Sequence, residues 1–116
     1  MIAIRGATSV DKNEKEEIMK KSIELFEQIQ KQNYINSITS IIVSVTKDIT
    51  AYNPATAIRY EENLINTPLM CVQEAEMDNS PKGIIRVLIH CDSATQKHVY
   101  LHRAKELRPD LEDFNV

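Results

Sequence analysis

Glycine is nearly missing from this chain: its 116 residues include only Gly6 and Gly83. Phosphate-cradling loops and dinucleotide fingerprints each need at least two glycines at close, fixed spacing, so both are excluded. Tryptophan is absent and aromatic residues make up 5% of the chain, which leaves little to build a base-stacking platform. The formal net charge is −3 and no Lys/Arg block occurs, so no nucleic-acid partner is expected. Apolar runs such as Ile41-Ile42-Val43 and Val87-Leu88-Ile89 fall far short of the roughly 20 residues of a membrane span, so no membrane association is expected. The start, Met1-Ile2-Ala3-Ile4-Arg5, lacks the basic and long apolar regions of a signal peptide. Two cysteines, Cys71 and Cys91, are too few for a disulfide scaffold; both read as free thiols of a cytoplasmic protein. No Cys-x-x-Cys or His-Glu-x-x-His motif is present. The spacing of His98 and His102 suits a metal only on a helix and is weak by itself, so no metal is expected. No Gly-x-Ser-x-Gly elbow supports a serine nucleophile.

What remains is an ordinary globular balance, 42% apolar and 27% charged, at a length that suits one domain over residues 1–116. The β-branched start, Met1 to Arg5, predicts a strand that stops at Gly6. Ile18, Ser22, Leu25 and Ile29, widened by Met19, Ile23 and Phe26, recur at helical spacing and predict a long helix from Asn13 to Gln32. Asp11 or Asn13 is positioned to cap it, with Glu14, Glu16 and Glu17 favoured by the dipole in its first turn. Asn33 to Ser37 reads as a polar connector, and Ser40 to Thr46 as a strand. Asn53-Pro54 opens a short helical turn over Ala55 to Tyr60. Leu69 to Gln73 and Ile84 to Cys91 read as strands, separated by the turn Asp78 to Gly83. The tail, Lys97 to Leu107, fits alternating strand and one-faced helix equally well. The order predicts an α+β fold with a mixed sheet and one main helix. One helix cannot cover both sheet faces, so a second copy of the chain is the economical cover.

Arginine is the informative residue type. There are five, and Arg86 sits within the most apolar strand, between Ile85 and Val87. A charge there is costly unless it is paired or faces a polar cavity. Arg5 ends the first strand, and Glu74 follows the strand that ends at Gln73. Two arginines and a glutamate at strand ends suit a polar anionic ligand, since the guanidinium fork matches carboxylates. Solvated or structural ion-pair roles fit those positions as well. Cys71 has no neighbouring charge in sequence to activate it and reads as a strand thiol.

Several segments then occur in a telling order: Ile4-Arg5-Gly6-Ala7-Thr8, Pro54-Ala55 followed by Arg59, Cys71-Val72-Gln73-Glu74, Ile85-Arg86-Val87, and His98-Val99-Tyr100-Leu101 followed by Leu107-Arg108-Pro109-Asp110-Leu111. Nearly the whole chain resembles the monofunctional chorismate mutases of the Bacillus (AroH) type. The resemblance implies a mixed five-stranded sheet with one long helix and a short 3-10-type helix. Three copies would form a pseudo-α/β-barrel, with active sites at the subunit interfaces. It implies rearrangement of chorismate to prephenate in aromatic amino acid biosynthesis, with no cofactor. Arg86 and Glu74 match the catalytic pair of that family. Arg5 and Tyr100 match its grip on the side-chain carboxylate, and Arg59 its contact to the ring carboxylate. Cys71 matches a position near the ring hydroxyl, Ala55 and Leu107 match lining positions, and Arg108 belongs to a covering C-terminal segment. Asn53 and Thr56 stand where the family often has an aromatic residue and a lysine, which predicts weaker substrate capture. The tail ends at Val116, which predicts a shortened cover. The alternative is a non-catalytic trimeric binder of a small carboxylate; it would need the arginines but has no evident use for Glu74.

Overall fold

A computed structural model describes residues 1–108. Pro109, Asp110, Leu111 and the rest of the tail lie outside the described residues. Five strands form one mixed sheet in the order β3-β2-β4-β1-β5. They are β1 (Ile2–Ser9), β2 (Ile35–Val45), β3 (Leu69–Gln73), β4 (Ile84–Ser93) and β5 (Val99–Tyr100). Strand β4 pairs antiparallel with β1 and β2, while β3 joins β2 and β5 joins β1 in parallel. Helix α1 (Lys15–Gln32) follows β1, α2 (Pro54–Glu61) lies between β2 and β3, and a 3-10 helix (His102–Leu107) ends the described chain.

The apolar stripe of α1 explains the layering. Ile18, Leu25, Phe26 and Ile29 are fully buried and pack with Ile58 of α2. Beneath them lie Ile4, Ile41, Val43, Ile85, Val87, Ile89 and Cys91, every second residue of the central strands. Each such side chain contributes roughly 1.5–3 kcal/mol by leaving water. No helix among the described residues is long and apolar enough to cross a membrane.

Several local expectations are corrected. Strand β1 runs through Gly6 to Ser9, because Gly6 is a crossing point and not a turn. A Cβ there would lie 2.7 Å from Ile29 Cδ1 and 3.2 Å from both Leu25 Cδ1 and Val87 Cγ2. Neither Asp11 nor Asn13 caps α1, which begins at Lys15 without a side-chain cap. Asn13 ties down the loop before α2 instead: its Oδ1 accepts from the N–H groups of Thr50 and Ala51. The Glu17 carboxylate accepts from the N–H groups of Asp11 and Lys12, serving the free donors ahead of the helix. The polar stretch from Ile35 is strand, because β4 pairs with it across two register shifts. The tail resolves its ambiguity by being both, two residues of strand and then a 3-10 helix. The short helix expected from Asn53-Pro54 is present as α2, capped by Asn53 Oδ1 accepting from the N–H of Ala55 at 2.9 Å.

Opposite the helices the sheet is only partly covered. The 3-10 helix packs Ala104 and Leu107 with Tyr100 over Ala7 and Ile84 at one end. Towards the β3 edge, Ile42 (36%), Met70 (57%) and Val72 (40%) stay exposed.

Candidate active site

Strand alternation sends Arg5 and Arg86 to that open face. Arg86 pairs in register with Ala7 of β1 and Ser44 of β2, and Arg5 pairs with Leu88. The two arginines are therefore diagonal neighbours on adjacent strands. Tyr100, opposite Ala7, joins them from β5. Arg5, Arg86, Tyr100, Arg108, Ser44 and Ile42 are among the residues lining a cavity of about 350 Å³.

Glu74 continues the β3 ladder by one bond, its N–H donating to Val45 O at 2.8 Å. This puts its carboxylate beside Arg86, with Oε1 2.6 Å from Arg86 Nε. Ser44 Oγ donates to the same oxygen at 3.5 Å. The ion pair lies off the N–H direction, so Arg86 Nε is buried without a hydrogen-bond partner. No other protein acceptor meets the Arg86 guanidinium, and no carboxylate pairs with that of Arg5, among the described residues. The site thus gathers cations from β1, β4 and the chain beyond the 3-10 helix against one carboxylate, a balance suited to a small dianion.

The other expected residues are elsewhere. Ala55 is buried in the helix-side core, and Cys71, in register with Val43, packs towards that same core. Burial raises the Cys71 thiol above its ordinary pKa, so it is no activated nucleophile. Arg59 is exposed on α2, its guanidinium 5.2 Å from the Tyr60 ring centre, beside a separate cavity of about 380 Å³. One chain does not bring Ala55, Arg59 and Cys71 to Arg86. Ala55 and Cys71 face the helical layer across the sheet, and Arg59 lines a different cavity. Leu107, like Tyr100, packs against Ala7, Ile84 and Ala104, and it directly precedes Arg108, which lines the arginine cavity. His98 and His102 do not share a helix: the His98 ring accepts from the Arg5 N–H, while His102 meets Glu24 and Lys21. Ser44 and Arg103 escaped the sequence reading. Arg103 ties the 3-10 helix down by donating to Val10 O at 2.7 Å and Lys82 O at 3.2 Å. Only the pairing of distant segments reveals either residue.

A larger cavity, about 590 Å³, lies beside residues 74–82 and is lined by Lys47, Asp48, Glu76, Asp78 and Lys82. Its mixed charges give a dianion no cationic cradle, so chemistry favours the smaller one.

The family model for chorismate mutase type I matches residues 1–111. The chain belongs to that family. It is 34% identical to the chorismate mutase AroH of Bacillus subtilis (strain 168) over 114 residues, covering 93% of this chain and 90% of the relative. It is 35% identical to the chorismate mutase AroH of Thermus thermophilus over 116 residues, covering 94% of each. The fold matches a chorismate mutase from Clostridium thermocellum with a TM-score of 0.85 at 38% identity, covering 91% of this chain and 99% of that one. The protein is thus a chorismate mutase, an isomerase of aromatic amino acid biosynthesis. The mixed five-stranded sheet expected from that resemblance is present.

Proposed function

We propose that the arginine cavity is where chorismate becomes prephenate, and that a second copy of the chain completes it. The observation that carries this reading is the Arg86–Glu74 pair, 2.6 Å apart beside the guanidinium of Arg5, with which no carboxylate among the described residues pairs. In this intramolecular rearrangement the ether C–O bond breaks as a new C–C bond forms, and no proton leaves. No acid, base or nucleophile is needed. The site has to fold the enolpyruvyl side chain over the ring and meet the charge that develops. Arg5 and Tyr100 grip the side-chain carboxylate. Arg86 donates to the ether oxygen, which becomes more negative in the transition state. Glu74 orients Arg86, accepts from the ring hydroxyl and offers negative charge to the ring as it becomes electron-poor. Interactions that strengthen only as the bond breaks raise kcat more than they lower KM.

Ile42, Met70 and Val72 support a second copy on the open face, since a sheet face this apolar is rarely left to solvent. Docking there carries α2 and the β3 edge of one copy towards the cavity of the next. That reunites Ala55, Arg59 and Cys71 with Arg86. Arg59 then faces the ring carboxylate, Ala55 and Leu107 supply walls, and Arg108 lies over the opening. Asn53 and Thr56 border the mouth. Closing the ring of contacts takes three copies, the pseudo-barrel. Residues 1–116 act as one catalytic domain, and the unpaired thiols suit the cytoplasm.

The test is loss of chorismate ultraviolet absorbance with purified protein, alongside light scattering. Turnover by a particle about three times the 13.3 kDa chain is expected. An active monomer would overturn the shared site, and an inactive trimer would overturn the catalytic reading of Arg86 and Glu74.

A further inference from the structure

Strand β5 contains only Val99 and Tyr100, too short to hold its own register. Yet it carries Tyr100 and flanks Arg5, two groups assigned above to one substrate carboxylate. Its fastenings to β1 are therefore decisive. On the far side, Leu101 N–H donates to Ala7 O at 2.9 Å. Further back, the Gln96 amide donates to Ala3 O at 2.8 Å. Between them, the Arg5 N–H donates to Nδ1 of the His98 imidazole at 2.9 Å. A side chain thus does for Arg5 what a strand carbonyl would ordinarily do.

We infer that His98 is a positioning residue: through Nδ1 it fixes the Arg5 backbone and the start of β5, and so aims Arg5 and Tyr100 at the substrate carboxylate. The inference rests on the assignment of Arg5 and Tyr100 to substrate binding. An imidazole accepting at Nδ1 has its proton on Nε2, the neutral tautomer. Three features keep it neutral. Burial lowers its pKa from the ordinary histidine value, and Arg5 on β1 and Arg108 beyond the 3-10 helix push it the same way. Lys97 precedes it on its own segment, and Tyr100 follows. An acceptor that stays uncharged beside two guanidinium groups keeps its lone pair for the Arg5 N–H. The direction of a long arginine side chain is set at its Cα, and small misplacements there are felt at the reacting groups.

Chorismate kinetics on three variants test this. His98→Leu removes the acceptor and should raise KM about 3- to 10-fold, the loss of one hydrogen bond, with kcat within about twofold of wild type. His98→Asn should restore KM to within about twofold of wild type, because Oδ1 lies the same number of bonds from Cβ as Nδ1. His98→Gln, whose acceptor lies one bond further out, should behave like His98→Leu and replaces it if the leucine variant does not fold. Hydrogen exchange at the Arg5 amide should be slow in wild type and His98→Asn and fast in His98→Leu or His98→Gln. Equal KM in the asparagine and glutamine variants, or unchanged Arg5 exchange on loss of the acceptor, overturns the proposal. Arg5→Ala separates it from the reading beneath it. An unchanged KM there sinks the binding role of Arg5, whereas a raised KM with a normal His98→Gln sinks only the role of His98.

Discussion

The two faces of the sheet are built from the same strands and do opposite things. Along β4, Ile85, Val87, Ile89 and Cys91 point into the helical layer and are at most 3% exposed. Arg86, Leu88 and His90 alternate with them on the other side, partly open to solvent. The covered face contains no charge and closes around Phe26 and its neighbours. The open face holds Arg86 against Glu74 in the middle of a sheet, with exposed apolar side chains beside it. A charge among apolar residues lowers stability unless something else uses it. One face therefore holds the fold together, while the other carries the features that stability alone does not explain.

Changes on the two faces should thus separate stability from turnover. The largest effect is expected on the covered face. Phe26→Ala should cost about 3–5 kcal/mol in denaturant unfolding, while any protein that stays folded keeps a near-normal kcat. Loss of kcat at unchanged assembly would break the comparison. Next comes Arg86→Ala, which should lower kcat by about 10²–10³ in a stopped or continuous chorismate assay and leave Tm nearly unchanged. Arg86→Lys should rescue poorly, since it keeps the charge and loses the planar fork. A folded Arg86→Ala protein with near-normal kcat would leave the arginine a structural ion-pair member. Gly6→Ala is smaller. It pushes a methyl against Ile29, Leu25 and Val87 on the covered side and should cost about 1–3 kcal/mol of stability. Arg5 is its neighbour on the opposite face, so a KM change larger than the stability change would show that the faces are coupled through β1.

The smallest effect concerns the outer surface of the helical layer. Burial, then the charges of Glu27 and Glu61, raise the pKa of Glu62 at the end of α2. The folded state therefore binds this proton more tightly than the unfolded state does. Stability falls as pH rises from the ordinary glutamate range through the raised value. Glu62→Gln should lift Tm slightly at pH 7 and leave it unchanged at pH 3, where both forms are uncharged. Partial exposure keeps the gain small. An equal lift at both pH values would assign it to packing.

Much of this was legible from residues alone. The 3.6-residue stripe from Ile18 to Ile29 specified α1 and its buried side. Alternation specified β4 and put Arg86 opposite Val87, whatever the partners. The order of short segments named the family. Ile35 to Ser37 was misread because its polar residues hid a strand that exists only by pairing with Asp92 and Ser93. Neither cap candidate reaches the α1 terminus, because Asn13 Oδ1 accepts from the loop before α2 and the Asp11 N–H is itself held by Glu17, which lies in the first turn as expected.

The sequence by itself determined which residues of each element share a side, because a side chain's direction follows from local helix and strand periods. Only the tertiary structure decided which sides of different elements coincide. Register between β1 and β4 brings Arg5 near Arg86 across about eighty residues of chain, and the parallel pairing of β3 turns Cys71 away while delivering Glu74. Such pairings depend on hydrogen bonds and burial between distant segments, and no local pattern encodes them.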